Sequence, residues 1–325
     1  MMFKIKKSAY RRAYDSDFNI FIGYTPYHYL FCTQLVQQQG IRMDFAYFSK
    51  AYGKSAARTS FFKKGWGFLY AAARIHIALM FKRNVRVFIP HPNHVIGNFL
   101  YFSRRVKSVF LYEDGILNYY DADVSRYPIG IKKELLGKAI FMPFRHYSGH
   151  LSGVDEKSAD GAFLTNPKDA VRMTRLGKVI KVVWQEQCDG ALNQEIVVFL
   201  DQNTKALGEN SGAVRRKLAD YVKSMNAKTV YYKRHHDFHA GGIGIPLPPE
   251  MRDRPAEMVA RELSAATVIG FYSSALINIK RQNPAVNCVS IGADLLSISV
   301  DEKPVQLSEL FQAAGVVCIS DADGS

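Results

Sequence analysis

The chain has 325 residues, 48% of them hydrophobic and 22% charged, and a formal net charge of +14. That balance can bury real cores and excludes disorder as the default, and the length suits two domains better than one. The positive charge asks for an anionic partner (nucleic acid, an anionic membrane face or an acidic substrate) without choosing among them.

Residues 1–17 are polar and basic and read as a surface arm; no apolar core follows at once, so no signal peptide is read there. Asn19-Ile20-Phe21-Ile22-Gly23-Tyr24 reads as the first buried strand. Thr25 then caps a helix to about residue 39, with Pro26 at the first helical position. Residues 43–48 form the second strand and 59–81 a long helical segment. Its most apolar part, 68–81, is too short to span a bilayer and is interrupted by Arg74 and His76. A third strand at 85–89, a helix at 93–104 and a fourth strand at 109–112 complete one alternation. Between roughly 118 and 175 the pattern loosens, a strand-like run returns at 178–184, and 185–194 reads as a linker. A second alternation follows, with strands at 196–200, 229–232, 267–271 and 286–291. Its helices lie near 211–225, 256–263 and from Ser274 onward. Short apolar strands alternating with helices predict parallel, doubly wound sheets.

Cys32, Cys188, Cys288 and Cys318 form no CxxC pair, which argues against a zinc ribbon. Three lie in or beside apolar runs and suit buried free thiols in a reducing cytosol.

Three polar clusters follow predicted strands, at the end where open α/β sheets bind ligands. The first is Glu113-Asp114-Gly115. It reads equally as a turn, with Gly115 supplying φ > 0, or as a general base in which one carboxylate faces a cleft. The second is Lys233-Arg234-His235-His236-Asp237-Phe238-His239. Its histidines lack metal-ligand spacing, and besides a solvated basic loop it fits a phosphate grip. His235 can also protonate a leaving group. The third, Ser273-Ser274, is an N-cap and equally an anion site at a helix N-terminus. Gly241-Gly242-Ile243-Gly244 precedes prolines rather than a helix, so it reads as a loop, not a dinucleotide fingerprint. His91-Pro92 reads as a turn or as part of the cleft lining, and Thr25-Pro26-Tyr27-His28 as a helix start facing the cleft. The stretch from Phe61 to Tyr70, with Arg74, Lys82 and Arg83, is either a buried helix with a basic rim or an interfacial helix on anionic lipid. No RNP, KH or helix-turn-helix signature supports nucleic acid.

The order of these clusters resembles the bacterial sialyltransferases of GT-B fold, the lipooligosaccharide and capsular polysialyltransferase group. Glu113-Asp114-Gly115 is similar to their acidic D/E-D/E-G motif, and Ser273-Ser274 to their serine motif. Lys233-Arg234-His235 is similar to their His-Pro motif, with His236 where the proline is expected. Pro255-Ala256-Glu257 matches a Pro-x-Glu that meets the nucleotide, and the opening strand followed by Thr25-Pro26 matches the start of these chains. The resemblance implies an α/β GT-B fold: two Rossmann-like doubly wound domains, 1–190 and 191–325, facing a central cleft. It implies inverting, metal-independent transfer of a nonulosonic acid from a CMP-activated donor to a hydroxyl of a bacterial surface glycan, with no cofactor. Glu113 is the first choice as base and Asp114 the second. His235 would hold the CMP phosphate and act as acid. Ser273, Ser274, Lys233, Glu257, Gly115, Thr25 and Pro26 would bind substrate. A cytoplasmic location, with peripheral contact to the inner membrane face, is expected. The rivals are a CDP-polyol phosphotransferase of teichoic-acid type, and a non-catalytic protein docking on membrane or nucleic acid.

Overall fold

The structure is a computed structural model describing residues 17–49, 66–156, 159–184, 191–225, 227–235 and 243–320. The chain divides into two compact units, Met1–Val183 and Trp184–Ser325.

The first unit is built on a six-stranded parallel sheet in the order β2-β1-β3-β4-β5-β6. The strands are β1 Phe18–Gly23, β2 Phe45–Phe48, β3 Val85–Ile89, β4 Val106–Tyr112, β5 Gly161–Leu164 and β6 Val179–Lys181. Its helices are α1 Pro26–Gln39, α2 Trp66–Phe81, α3 Val95–Tyr101 and α4 Ile131–Ala139. Side chains alternate across each strand, so each strand feeds two layers. Ile20, Ile22, Val87, Ile89, Val109 and Leu111 pack with Ala71, Ala72 and Ile75 of α2 and Ile96 of α3. The intervening residues put rings on the other face. Phe21 stacks on Phe88 at 4.3 Å, Phe88 on Phe110 at 5.3 Å, and Phe31 of α1 on Tyr112 at 5.6 Å. Helices on both faces of a parallel sheet make this a doubly wound unit.

The second unit repeats the plan with the order β14-β11-β10-β7-β8-β9, again parallel. Its strands are β7 Asn193–Leu200, β8 Thr229–Lys233, β9 Ile245–Pro246, β10 Ala265–Gly270, β11 Asn287–Ile291 and β14 Val317–Ile319. A separate antiparallel ribbon joins β12 Ser297–Val300 to β13 Lys303–Gln306. The helices are α5 Ser211–Ser224, α6 Ala256–Glu262, α7 Ser274–Gln282 and α8 Leu307–Ala313. Val214, Leu218 and Val222 recur every four residues on α5 and pack against Val197, Phe199, Ile269 and Val289 of the sheet.

The two Rossmann-like units are as the alternation predicts. Two features of the first unit differ. β4 begins at Val106, because the backbone pairing with β3 starts at Val85 and continues past a register shift. β5 lies inside the stretch where periodicity fails: its four residues are buried on both sides, so no alternation advertises it. Of the segment read as a helix over 59–81, the described part begins at Trp66. Residues 59–65, the 185–190 part of the linker, and Gly241 and Gly242 lie outside the described residues.

Candidate functional site

In the first unit the sheet order reverses between β1 and β3, and open α/β sheets bind ligands beyond the strand ends at such a point. The chain leaving β1 enters α1 by a tight turn. Thr25 is its N-cap and Pro26 its first residue; the Thr25 hydroxyl accepts from the His28 backbone N–H at 3.3 Å. His28 closes the capping box from the other side. Its Nδ1 accepts from the backbone N–H of Tyr24 at 2.9 Å and of Thr25 at 3.3 Å. An imidazole nitrogen that accepts holds no proton, so the ring hydrogen sits on Nε2. Gly23 permits this turn, since a Cβ there would lie 2.8 Å from the His28 Cβ and run into the Phe48 ring.

That Nε2 donates to Asp114 Oδ1 at 2.5 Å. His91, two residues past β3, meets the other oxygen, with Nε2 3.3 Å from Oδ2. Its Nδ1 is occupied likewise, accepting from the Asn93 N–H at 3.1 Å. Two rings therefore hold one carboxylate, and both have spent their second nitrogen on backbone. Asp114 keeps lone pairs in reserve on a side chain that is 14% exposed. Burial works to raise its carboxyl, but the electrostatic attraction and hydrogen bond of His28, with the attraction of His91 behind them, hold it below the usual aspartate range. The turn is completed by Asn118, whose side-chain oxygen accepts from the Asp114 N–H at 2.6 Å, and by Gly115 at φ 58.

Glu113, its neighbour, points the opposite way and is fully buried. Its carboxylate accepts from the Tyr27 hydroxyl at 2.8 Å and the Tyr119 hydroxyl at 2.6 Å. It also accepts from the Thr165 N–H and hydroxyl, each at 2.7 Å. These bonds clamp β4 to α1 and to the end of β5. Glu113 braces the strand ends, while Asp114 carries the accessible carboxylate.

Behind this site, His94 lies face to face with Tyr24 at 4.5 Å, and its buried Nδ1 has no hydrogen-bond partner among the described residues. Burial pulls the His94 ring down to about 3, and pulls His91 down to about 4 against the attraction of Asp114. Both folded values lie below the unfolded value of about 6.5. The unfolded chain therefore binds protons that the folded chain refuses, and stability falls as pH drops from about 6.5 toward 4. Near pH 5 unfolding should take up about one proton per ring, a slope of ~2.7 kcal/mol per pH unit for the pair. Urea-unfolding midpoints across this range check it. The acid slope should flatten in His91→Gln/His94→Gln, and an unchanged slope would assign it elsewhere.

In the second unit the order reverses between β7 and β10. Ser273 is the N-cap of α7, its hydroxyl accepting from the Ala275 N–H at 3.3 Å, and half-buried Ser274 opens the helix. Lys233 ends β8, two strand spacings away, roughly 10 Å by sheet geometry. Its ammonium donates to the Arg252 carbonyl at 2.8 Å; burial lowers its pKa, and the charges of Asp253 and Glu257 oppose that. Glu257 is buried on α6 and accepts from the Asn278 side chain of α7 at 2.9 Å. Burial raises its carboxyl, opposed by Asn278 and Lys233. Half-buried Lys233 and buried Glu257 thus act on each other's charge, as perturbed pairs do at functional sites. His235 is half-buried two residues past β8, while His236 and the rest of its cluster lie outside the described residues.

His28 and His91 were legible as cleft-side residues in a helix start and a turn, but not as partners of Asp114. Tyr119 and Thr165 carried no sequence signal, being single residues in the stretch without periodicity. What would have raised the histidines is that each lies within four residues of the end of a predicted strand.

No protein-family model matches the chain, and no curated protein matches it. Among solved structures it is similar to the UDP-GlcNAc 2-epimerase from Methanocaldococcus jannaschii, at 10% identity over 94% of this chain and 89% of that one, TM-score 0.49. It is also similar to the spinosyn rhamnosyltransferase SpnG complexed with thymidine diphosphate, at 11% identity over 93% and 86%, TM-score 0.44. A third is MurG of Acinetobacter baumannii, at 12% identity over 95% and 87%, TM-score 0.39.

Proposed function

We propose that this chain is an inverting glycosyltransferase that uses a nucleotide-activated sugar, with Asp114 as the base. The observation that carries the reading is the Asp114 carboxylate, held by the Nε2–H groups of His28 and His91 at the strand ends of the first unit. A group so held stays ionised and oriented. An acceptor hydroxyl gives its proton to Asp114 as its oxygen bonds to the anomeric carbon. The bond from that carbon to the donor phosphate breaks, and its electron pair leaves with the phosphate. Within the second unit, groups of the kind that bind a phosphate collect at the strand ends. The N-terminal end of α7, where Ser273 already caps the Ala275 N–H, and the Ser274 hydroxyl bind the anion, and the anion stabilises the Lys233 ammonium, whose charge burial disfavours. His235 is the acid for the leaving group, and Glu257 the partner of the nucleoside.

The finer reading is transfer of a nonulosonic acid from a CMP donor to a surface-glycan hydroxyl. It rests on the order of the acidic, Lys-x-His and Ser-Ser motifs, and on a net charge of +14 that suits an acidic donor and acceptor. A CDP-polyol phosphotransferase is the second reading, favoured by the approach of His91, in its His-Pro pair, to Asp114.

Thermal unfolding with CMP, CDP, UDP and ADP at matched concentration tests both. A ligand at ~100 times its Kd stabilises by roughly 2.7 kcal/mol, a readily measured melting shift. A shift with CMP that Ser274→Ala and Lys233→Ala reduce supports the sialyltransferase-like reading. A preference for CDP supports the second, and no shift with any nucleotide removes both.

A further inference from the structure

Helix α2 is amphipathic in an inverted sense. Its small residues, Gly67, Ala71, Ala72 and Ala78, face the sheet with Ile75 and Leu79. Its larger apolar residues, Trp66, Leu69, Tyr70, Ile77, Met80 and Phe81, face outward, with Trp66 and Phe81 each 77% exposed. Spacings of three and four residues within 66–70 and 77–81, bridged by exposed Ala73 and Arg74 on the turn between, align them as a stripe on one side of the helix. Helix α4 adds a second. Ile131, Leu135 and Leu136 are exposed on it, and Phe141 just beyond its end is 81% exposed. The two stripes are neighbours, because His76 of α2 bonds the Ile140 carbonyl after α4 at 3.1 Å. Monomers rarely expose so large a contiguous apolar area without a use for it.

The charges on the same segments choose the partner. Residues 66–83 carry Arg74, Lys82 and Arg83 and no acid, and residues 131–141 carry Lys132, Lys133 and Lys138 against Glu134 alone. Glu134 is already paired with His146 at 3.3 Å. A second copy docking through this face would set these cations against the same set, which repels. An anionic lipid surface neutralises them while taking up the apolar side chains. Trp66 and Tyr70 are the ring types that settle at headgroup level. Among the described residues no helix is long and apolar enough to cross a membrane, and α2 already packs one face on the sheet, so the fitting mode is lying in the interface plane.

We propose that the outward faces of α2 and α4 dock this protein on an anionic lipid bilayer. The inference is independent of the transferase reading. The test is co-sedimentation with phosphatidylglycerol-rich vesicles and with neutral phosphatidylcholine vesicles, followed also by tryptophan emission. The chain has two tryptophans; Trp184 is buried at 8% exposure and Trp66 is not, so a blue shift reports Trp66. Expected is binding to the anionic vesicles with a blue shift, weakened by salt and at least roughly tenfold stronger than to neutral ones. Ile77→Ser/Met80→Ser/Phe81→Ser should lose roughly tenfold or more of that binding, with melting temperature unchanged because the residues are exposed. Lys132→Glu/Lys133→Glu should weaken binding to anionic vesicles alone. Equal sedimentation of wild type and the triple variant overturns the proposal, as does absence of binding at low salt. So does a concentration-dependent dimer that the triple variant abolishes while vesicles leave the emission unshifted.

Discussion

Glu113→Ala is expected to cost about 4 kcal/mol or more of stability, enough to leave little folded protein in a domain of ordinary marginality. The Glu113 carboxylate is fully buried and accepts from two tyrosine hydroxyls, a threonine hydroxyl and a backbone N–H. Truncation removes this acceptor from four donors at once, and although the Tyr119 and Thr165 hydroxyls still meet each other at 3.2 Å, each buried donor left unsatisfied costs about 1–3 kcal/mol. The donors come from α1, the turn after β4 and the end of β5, so the loss loosens three strand ends together. Glu113→Gln keeps the shape and loses the charge, since an amide presents one acceptor where two are needed. It should cost less, about 2 kcal/mol, and at low temperature retain transfer within roughly tenfold of wild type, below the effect of a lost general base. Urea unfolding of both variants, with transfer assayed in the folded fraction, makes the check. A change under about 1 kcal/mol in the Ala variant would mean that the donors find new partners.

Asp114→Asn should act in the opposite way, sparing the fold and removing chemistry. An Asn oxygen can accept from His28 or from His91, and its amide N–H₂ then faces the Nε2–H of the other ring. The stability loss should stay near one hydrogen bond, about 1–3 kcal/mol. As base, Asp114 accounts for ~10²–10⁴-fold in kcat/KM, and the Asn variant should lose that while retaining the nucleotide-dependent melting shift. Because the carboxyl is held below its usual range, its protonation should not set the acid limb of activity near neutrality. A fall in activity at mildly acidic pH would instead track the unfolding that His91 and His94 bring. Full transfer by Asp114→Asn would remove the base assignment.

The pair of acids illustrates what could be read from the chain and what could not. Adjacent residues at a strand end point to opposite sides, so one of Glu113 and Asp114 had to be buried and one left to face outward. Which one is set by distant residues: Tyr27, Tyr119 and Thr165 gather on one side, and His28 and His91 on the other. Thr165 follows β5, the strand that the sequence left unmarked because its four residues are all buried. Without β5 in the sheet the donors to Glu113 cannot be counted, and Glu113 looks as free as its neighbour.

The local punctuation was legible for a different reason. Thr25-Pro26 and Ser273-Ser274 are caps whose hydroxyls bond backbone two or three residues on, so their physics is contained in the sequence that carries them. The same holds for alternating strands and for the every-fourth-residue stripe of α5. The outward apolar face of α2 is a case between. Its periodicity marks a helix with two apolar sides, but only the sheet decides which side is covered. Ala71, Ala72 and Ala78 let the helix approach closely, and that leaves Trp66, Ile77 and Phe81 in solvent. The sequence by itself determined the elements, their alternation, the two parallel sheets and the strand ends where chemistry collects, because these follow from periodicity and capping over a few residues. The tertiary structure alone decided which carboxylate is braced and which is held ready, because burial and hydrogen-bond partners are set by strands and helices far apart in the chain.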